Sequence, residues 1–158
     1  MNSNLKNHLL ILILFFSGIF WQCQFKEVPM LQFNAEGKFK IVQFTDIHMK
    51  ELNVGKRDSV LEMMKTILQD EKPDLVVLTG DIAISDNVEK AWSTVIQPMI
   101  DARIPWAETF GNHDREHGRS NEEIMKYLVT LPFNCSKAGP KKVSGTSNYA
   151  LEINGSNE

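Results

Sequence analysis

Short apolar runs alternate along this chain with longer segments in which apolar residues recur at helical spacing. Residues 39–45 (FKIVQFT) form a β-branched and aromatic run, and residues 75–78 (LVVL) form a continuous apolar run. Such runs predict strands, and the unbroken second run is typical of a strand that is buried on both faces. Residues 106–110 predict a third strand, in which Glu108 is unusual, and residues 148–153 predict a fourth.

Helices are predicted between these strands. The first should begin at Asp58 or Ser59, and the second at Asp86 or Asn87, because these side chains can cap a helix. Pro98 lies inside the second helical pattern, where a missing N–H should kink the helix or end it early. The apolar positions of the two patterns are Val60, Leu61, Met64, Ile67 and Leu68, then Ala91, Trp92, Val95, Ile96, Met99 and Ile100.

A third helix should begin at residues 120–123 (SNEE), which fit a capping box. The predicted order is therefore strand, helix, strand, helix, strand, helix, strand. Crossovers of this length predict that the first three strands are parallel, with helices covering the sheet. The chain is expected to have an α/β fold with a mostly parallel sheet and flanking helices.

The first 23 residues form a separate segment. Lys6 precedes eight consecutive apolar residues (9–16), and small residues and Cys23 follow them. This pattern predicts a secretory signal, since a transmembrane helix needs about 20 apolar residues. An uncleaved membrane anchor is the alternative, and both predict an exported protein of the periplasm or cell envelope.

The two cysteines are expected to have different roles. Cys23 lies where a bacterial lipoprotein signal places its lipidated cysteine, so membrane anchoring through Cys23 is one outcome, although residues 20–22 (FWQ) match such signals poorly. Cys135 is expected to be a thiol or a small buried hydrophobe, because one cysteine in the mature region cannot form an internal disulfide.

Composition excludes one class of partner. Apolar residues make up 42% of the chain and charged residues 23%, which is typical of a globular protein. The formal net charge is −3 and no basic stripe is present in the sequence. These features argue against a nucleic-acid-binding surface.

Polar residues directly follow each of the first three predicted strands. They are residues 46–48 (DIH), 80–81 (GD) and 111–114 (GNHD). Ligands of open parallel sheets bind beyond the carboxyl ends of the strands. The three clusters are therefore expected to converge on one edge of the sheet.

The side chains in these clusters suit metal ions. Carboxylate, imidazole and amide oxygen are ligands for Mn, Fe or Zn, and no thiolate is offered. Asp46 and His48 can bind one ion, and Asp81 can place its two oxygens on two ions. Asn112 can bind the second ion through its amide oxygen.

Each cluster by itself has a simpler interpretation. An Asp-x-His sequence often marks a turn, Gly-Asp often caps a helix, and Asn and Asp favour turns. Asp114 and His117 alone predict solvated side chains, whereas Gly80 and Gly111 would allow sharp turns where a side chain would obstruct a site. The occurrence of all three clusters after successive strands favours the metal site.

With these motifs, the sequence resembles the calcineurin-like metallophosphoesterase superfamily, which opens with Asp-x-His, Gly-Asp and Gly-Asn-His-Asp or Glu. The segments KFKIVQFTDIH, KPDLVVLTGD and IPWAETFGNHD are most similar to its purple-acid-phosphatase-related branch. The resemblance covers about residues 38–153. It implies a phosphoesterase domain at residues 38–158, forming the amino-terminal half of an αββα sandwich.

The resemblance implies a role for each matching residue. Asp46 and His48 would hold the first metal ion, Asp81 would bridge two ions, and Asn112 would bind the second. The cofactors would be two divalent or trivalent ions (Mn, Fe or Zn). A metal-bound hydroxide would hydrolyse a phosphomonoester or phosphodiester substrate.

Two further residues would act on the substrate by this resemblance. His113 would lie over the phosphate, stabilising charge or protonating the leaving oxygen. Asp114 would orient His113.

The later family motifs, Gly-His and Gly-His-x-His, have no counterpart among the histidines of this chain, which are His8, His48, His113 and His117. The second ion should therefore bind weakly. A half-sandwich should also expose a sheet face and favour self-association. We expect an amino-terminal fragment or, as the alternative, a chain completed by a partner.

Three functions follow from these observations. The first is a metal-dependent phosphoesterase whose turnover the missing ligands would impair. The second is an exported metal- or phosphate-binding module without turnover. The third is a cell-envelope lipoprotein in which the metal site is vestigial and the role is association.

Overall fold

This computed structural model describes residues 29–50 and 54–155. The predicted secretory signal and Cys23 lie outside the described residues. The elements are β1 Ile41–Phe44, α1 Val54–Glu71, β2 Leu75–Thr79, α2 Val88–Ala102, β3 Trp106–Thr109 and α3 Asn121–Leu128. Within the described part of the chain, no helix combines the length and apolarity that crossing a membrane requires.

The three strands form a parallel sheet in the order β1-β2-β3. Val42 is the register partner of Val76, which in turn pairs with Trp106. The predicted α/β fold with a parallel sheet is therefore confirmed. α1 connects β1 to β2 and α2 connects β2 to β3, so the chain crosses the sheet twice in the same direction. Because such connections have the same hand, α1 and α2 lie on the same face of the sheet.

The two faces of the sheet are covered differently. All three helices contribute to one buried cluster, which includes Met64 of α1, Trp92 of α2, Leu128 of α3, and Val76 and Leu78 of the sheet. On the opposite face, Leu75 and Ala107 pack with Leu31 and the buried Cys135, and this smaller cluster contains no residue of a helix.

The predicted fourth strand is wrong. Residues 148–153 form no strand, and an isolated bridge joins Gln32 to Asn154 just beyond them. The alternation of Tyr149, Leu151 and Ile153 nevertheless reflects burial, because these side chains pack against the smaller cluster. The alternation of apolar residues correctly indicated a half-buried segment. It could not indicate whether a neighbouring strand is available for pairing.

This segment also corrects the expectation of a bare sheet face. The face is covered at β2 and β3, where Leu75 and Ala107 are buried. It stays open at the β1 edge, where Ile41 is 51% exposed. Any self-association through this face would therefore involve β1.

The helix boundaries match the predictions unevenly. α1 begins at Val54, so a start at Asp58 or Ser59 is wrong; the Ser59 hydroxyl instead donates to the Gly55 carbonyl inside the helix, at 3.0 Å. Asn87 caps α2, accepting from the amide of Lys90 at 3.2 Å.

Pro98 does not end α2 early, which corrects one of its two predicted effects. α2 continues past Pro98 to Ala102 and ends where Arg103 adopts a left-handed conformation. The proline is buried with the apolar face of the helix, and this packing outweighs one missing hydrogen bond. The capping box of α3 is confirmed, with both the Ser120 and the Glu123 bonds present.

Candidate metal centre

Three predicted ligands meet at the carboxyl ends of β1 and β2. One ligand atom each from Asp46, His48 and Asp81 lies within 4.8 Å of the others. Nε2 of His48 is 3.8 Å from Asp46 Oδ1 and 3.8 Å from Asp81 Oδ2. We call these residues the triad. Two carboxylates and an imidazole facing one point form a donor set that fits a divalent cation.

Backbone hydrogen bonds align the two loops that carry the triad. The amide of Asp46 donates to the Gly80 carbonyl at 3.1 Å, and the amide of His48 donates to the Asp81 carbonyl at 2.9 Å. Met49 continues the pairing by donating to the Ile82 carbonyl at 2.8 Å. The parallel pairing of β1 and β2 thus extends into the loops and fixes His48 opposite Asp81.

All three members of the triad adopt a left-handed backbone. Their φ angles are 53° for Asp46, 50° for His48 and 54° for Asp81. Residues other than glycine adopt this conformation at a cost of about 1–2 kcal/mol each, and such residues cluster at functional sites. The sequence did not reveal this feature, because Asp and His are compatible with several turn conformations.

The loop after β3 approaches Asp81 closely at two glycines. A Cβ atom on Gly80 would lie 2.6 Å from the Gly111 nitrogen, and one on Gly111 would lie 2.1 Å from Asp81 Oδ1. Gly80 also has a φ of 88°. The predicted need for glycine at both positions is confirmed, and its cause is the contact between the second and third loops.

Asp114 joins these two loops. Its Oδ2 accepts hydrogen bonds from the amides of Asp81 at 2.9 Å and Gly111 at 2.8 Å. Its Oδ1 accepts from the amides of Ile82 at 2.9 Å and Ala83 at 3.2 Å. Asp114 is fully buried, so the prediction of a solvated side chain is wrong. Four backbone donors compensate the burial of its charge.

The ring of His113 has a hydrogen-bond partner that was not predicted from the sequence. Its Nδ1 lies 2.8 Å from Glu116 Oε1, and this hydrogen bond raises the pKa of His113. The described hydrogen bonds of Asp114 all go to backbone amides, so they do not support its predicted role in orienting His113. The spacing of three residues between His113 and Glu116 was the available signal.

His113 also belongs to the neighbourhood of the triad. The centroid of its ring lies 5.6 Å from that of His48, and its backbone amide donates to Asp81 Oδ1 at 2.9 Å. This hydrogen bond holds Oδ1 of Asp81, while Oδ2 faces His48. The loop after β3 therefore positions Asp81 as well as His113.

The remaining predicted residues lie at the surface of the same region. Asn112 is exposed, next to Gly111 and His113 in the loop after β3. His117 lies farther along this loop, with Nδ1 2.9 Å from Asp86 Oδ1. His117 therefore pairs with a residue that precedes α2 rather than with the triad.

Glu108, the unusual residue of β3, is fully buried. The Ser147 hydroxyl donates to its Oε1 at 2.7 Å, while its Oε2 has no hydrogen-bond partner in the described structure. Burial raises the pKa of Glu108 to about 8, the Ser147 hydrogen bond opposes this shift, and the nearby charge of Asp114 adds to it. The buried carboxyl of Glu108 therefore holds its proton more tightly than a solvated glutamate does.

Comparison with known proteins identifies related sequences. The family model described as calcineurin-like phosphoesterase matches residues 39–153. A protein of Arabidopsis thaliana named "Probable inactive purple acid phosphatase 14" is 31% identical over 147 residues. Phosphatase DCR2 of Saccharomyces cerevisiae is 33% identical over 151 residues, and the uncharacterized metallophosphoesterase YkuE of Bacillus subtilis is 34% identical over 121 residues.

These matches cover most of this chain but a minor part of each relative. The alignments include 79%, 81% and 73% of this chain, in the same order. They include 37%, 26% and 40% of the respective relatives. The matched region contains the triad, the loop after β3 and Glu108.

Proposed function

The chain belongs to the calcineurin-like phosphoesterase family, and we propose from this that its triad is part of a metal centre for the hydrolysis of phosphate esters. The observation that carries the proposal is the meeting of ligand atoms from Asp46, His48 and Asp81 within 4.8 Å of one another. The loops after β1 and β2 hold these atoms together, so their proximity is a consequence of the pairing of these two strands.

We assign Asp46 and His48 to one metal ion, Asp81 to the position between two ions, and Asn112 to the second ion. The geometry of Asp81 supports its assignment, because its Oδ2 faces His48 while its Oδ1 is turned toward the loop that carries Asn112. When bound, Mn, Fe or Zn ions would lower the pKa of a water molecule and neutralise charge on the phosphate.

His113 is proposed to act on the substrate directly. Its ring is half exposed beside His48, where a phosphate bound at the triad would be within reach. Glu116 favours the protonated ring, which can donate a proton to a leaving oxygen or stabilise negative charge. Asp114 acts through the backbone by holding Asp81 and Gly111 together.

Binding without turnover is the second candidate function. Relatives of this chain include proteins named inactive as well as a named phosphatase, so membership of the family alone does not decide between them. Metal binding that leaves phosphate esters intact would favour this candidate.

The proposal is tested first by metal-dependent stability. Mn²⁺ at a hundred times its dissociation constant should stabilise the 158-residue chain by about 2.7 kcal/mol, measured as a rise in melting temperature. Asp81→Asn should abolish this rise. Asp70→Asn, which changes an exposed carboxylate of α1, is the matched control and should keep it.

Hydrolysis is measured on the same proteins with a chromogenic phosphomonoester and a phosphodiester. Turnover above the metal-only blank, lost in Asp81→Asn, would support the phosphoesterase. An equal Mn²⁺ response in wild type and Asp81→Asn would contradict the metal centre itself.

A further inference from the structure

A pocket of about 270 Å³ adjoins the triad, and His48 lines it. Lys50, two residues beyond His48, contributes to the same wall. Lys56 and Arg57 enter from the first turns of α1. The pocket therefore begins at a member of the triad and extends toward α1.

The lining of this pocket is positively charged. Lys50, Lys56 and Arg57 contribute three cations, and none of the described lining residues is a carboxylate. Asp58, next to Arg57 in α1, lies with Oδ1 3.0 Å from Arg57 Nε and balances part of one charge. Such a concentration of cations departs from the composition of the chain, which has a formal net charge of −3.

The rest of the lining is apolar. Met49, which is buried in the core, lines the pocket together with Val60 and Ile84. Apolar walls with a few polar groups are typical of small-molecule sites, where the polar groups fix the orientation of the ligand. An apolar lining in the same pocket as the basic side chains suits a short carbon skeleton.

We propose that this basic pocket binds a second anionic group of the substrate while the triad holds the phosphate that reacts. The inference rests on the proposed function and names its substrate class: phosphate esters that carry a further phosphate or carboxylate. Lysine and arginine form charge-assisted hydrogen bonds with both groups, and these are stronger than neutral ones. Lys50, Lys56 and Arg57 thus determine specificity, without a role in the chemical step.

Non-hydrolysable probes test this proposal without relying on turnover. Propylphosphonate carries one anionic group, whereas 3-phosphonopropionate adds a carboxylate and propane-1,3-diphosphonate adds a second phosphonate. Calorimetric titration of the Mn²⁺-loaded, 158-residue chain should show about tenfold tighter binding of the two-anion probes than of propylphosphonate. The two-anion probe that binds more tightly shows whether a phosphate or a carboxylate is preferred.

The variants Lys50→Gln, Lys56→Gln and their double combination should reduce the advantage of the two-anion probes. The double variant should lose most of this advantage, because the remaining cation, Arg57, is partly balanced by Asp58. Lys65→Gln, at an exposed position farther along α1, is the matched control and should keep the tenfold preference. Equal affinities in the wild type, or a preference that survives the double variant, would overturn the proposal.

The role of Mn²⁺ distinguishes failure of this inference from failure of the proposed function. If Mn²⁺ promotes phosphonate binding and Asp81→Asn abolishes that effect, the metal centre stands whatever the basic pocket does. If the two-anion preference depends on the lysines but not on Mn²⁺, the pocket is a separate anion site and its role as a substrate subsite is overturned.

Discussion

The two carboxylates that face His48 are held in different ways. The side chain of Asp81 is 15% exposed, its amide donates to Asp114, and its Oδ1 accepts from the amide of His113. The side chain of Asp46 is 64% exposed and accepts a hydrogen bond from the hydroxyl of its neighbour Thr45 at 2.6 Å. One carboxylate is fixed by distant parts of the chain, and the other by its own loop.

Because of this difference, some residues of the site should mainly affect stability and others should mainly affect ligand binding. We call Asp81, Gly111 and Asp114 the supported side, and Asp46, His48 and Lys50 the open side. The supported side is buried or partly buried and tied together by hydrogen bonds of Asp114, so changes there should destabilise the fold even without metal. Changes on the open side should alter ligand binding while leaving the stability of the apoprotein almost unchanged.

The largest effect is expected for Asp114→Ala. Removing this carboxylate leaves four backbone N–H groups without their acceptor, which should reduce the free energy of unfolding by about 5 kcal/mol or more. Urea unfolding measures the loss. Asp74→Ala removes a carboxylate that accepts one backbone N–H, from Lys40 at 2.7 Å, and should cost about 1 kcal/mol. Similar losses for both variants would contradict the supporting role of Asp114.

A smaller and pH-dependent effect is expected for Glu108→Gln. The pKa of Glu108 is raised to about 8 in the folded protein, so the native state binds the proton more tightly than the unfolded state does. Glu108 therefore lowers the stability of the wild type progressively from about pH 4.5 to 8, by on the order of 5 kcal/mol at full ionisation. The glutamine variant lacks this penalty and should be the more stable protein at pH 9.

Urea unfolding of both proteins at pH 5 and pH 9 tests this sign. The difference in stability between variant and wild type should grow with pH, since all other titrating groups are shared. A difference that is constant between pH 5 and 9 would mean that Glu108 titrates as an ordinary, solvated carboxyl.

Gly111→Ala should reduce the free energy of unfolding by about 2 kcal/mol, because an added methyl group would clash with atoms that are held in place. The new Cβ would lie 2.1 Å from Asp81 Oδ1 and 2.6 Å from the Asp81 nitrogen, so the backbone must move. Thermal unfolding measures the loss. Gly55→Ala in α1 has no atom within 4 Å of the added methyl and should be neutral or stabilising.

The smallest effect on the apoprotein is expected for Asp46→Asn. This exposed side chain should change the free energy of unfolding by about 0.5 kcal/mol or less in the absence of metal. The substitution should nevertheless abolish most of the stabilisation by Mn²⁺, because a neutral amide replaces a negatively charged ligand of the cation. Melting curves with and without Mn²⁺ measure both quantities. A large loss of apoprotein stability would remove the distinction between the two sides of the site.

The sequence predicted local structure where a local signal was present. The apolar run 75–78 and the capping box at Ser120 predicted β2 and the start of α3 correctly. The predicted start of α1 failed because Asp58 and Ser59 can occupy the first turns of a helix as well as its cap. The predicted strand at 148–153 failed because alternation reports burial on one side and not pairing.

The candidate site shows the same limit. Three motifs after successive strands predicted which residues should meet, and the structure brings Asp46, His48 and Asp81 together. Their roles as ligands remain a proposal. The motifs did not predict that Asp114 is a buried acceptor, or that Glu116 is the ring partner of His113.

The sequence by itself determined the order of the first three strands and the helices that follow them, the residues with metal-ligand chemistry, and their positions after the strands. Only the tertiary structure decided the burial of Asp114, the raised pKa of Glu108, the left-handed backbone of the triad and the basic pocket beside His48. The physical reason is that these properties depend on atoms from several elements at once. Asp114 is stable as a buried carboxylate because Asp81, Ile82 and Ala83, more than thirty residues earlier in the chain, supply amides to it.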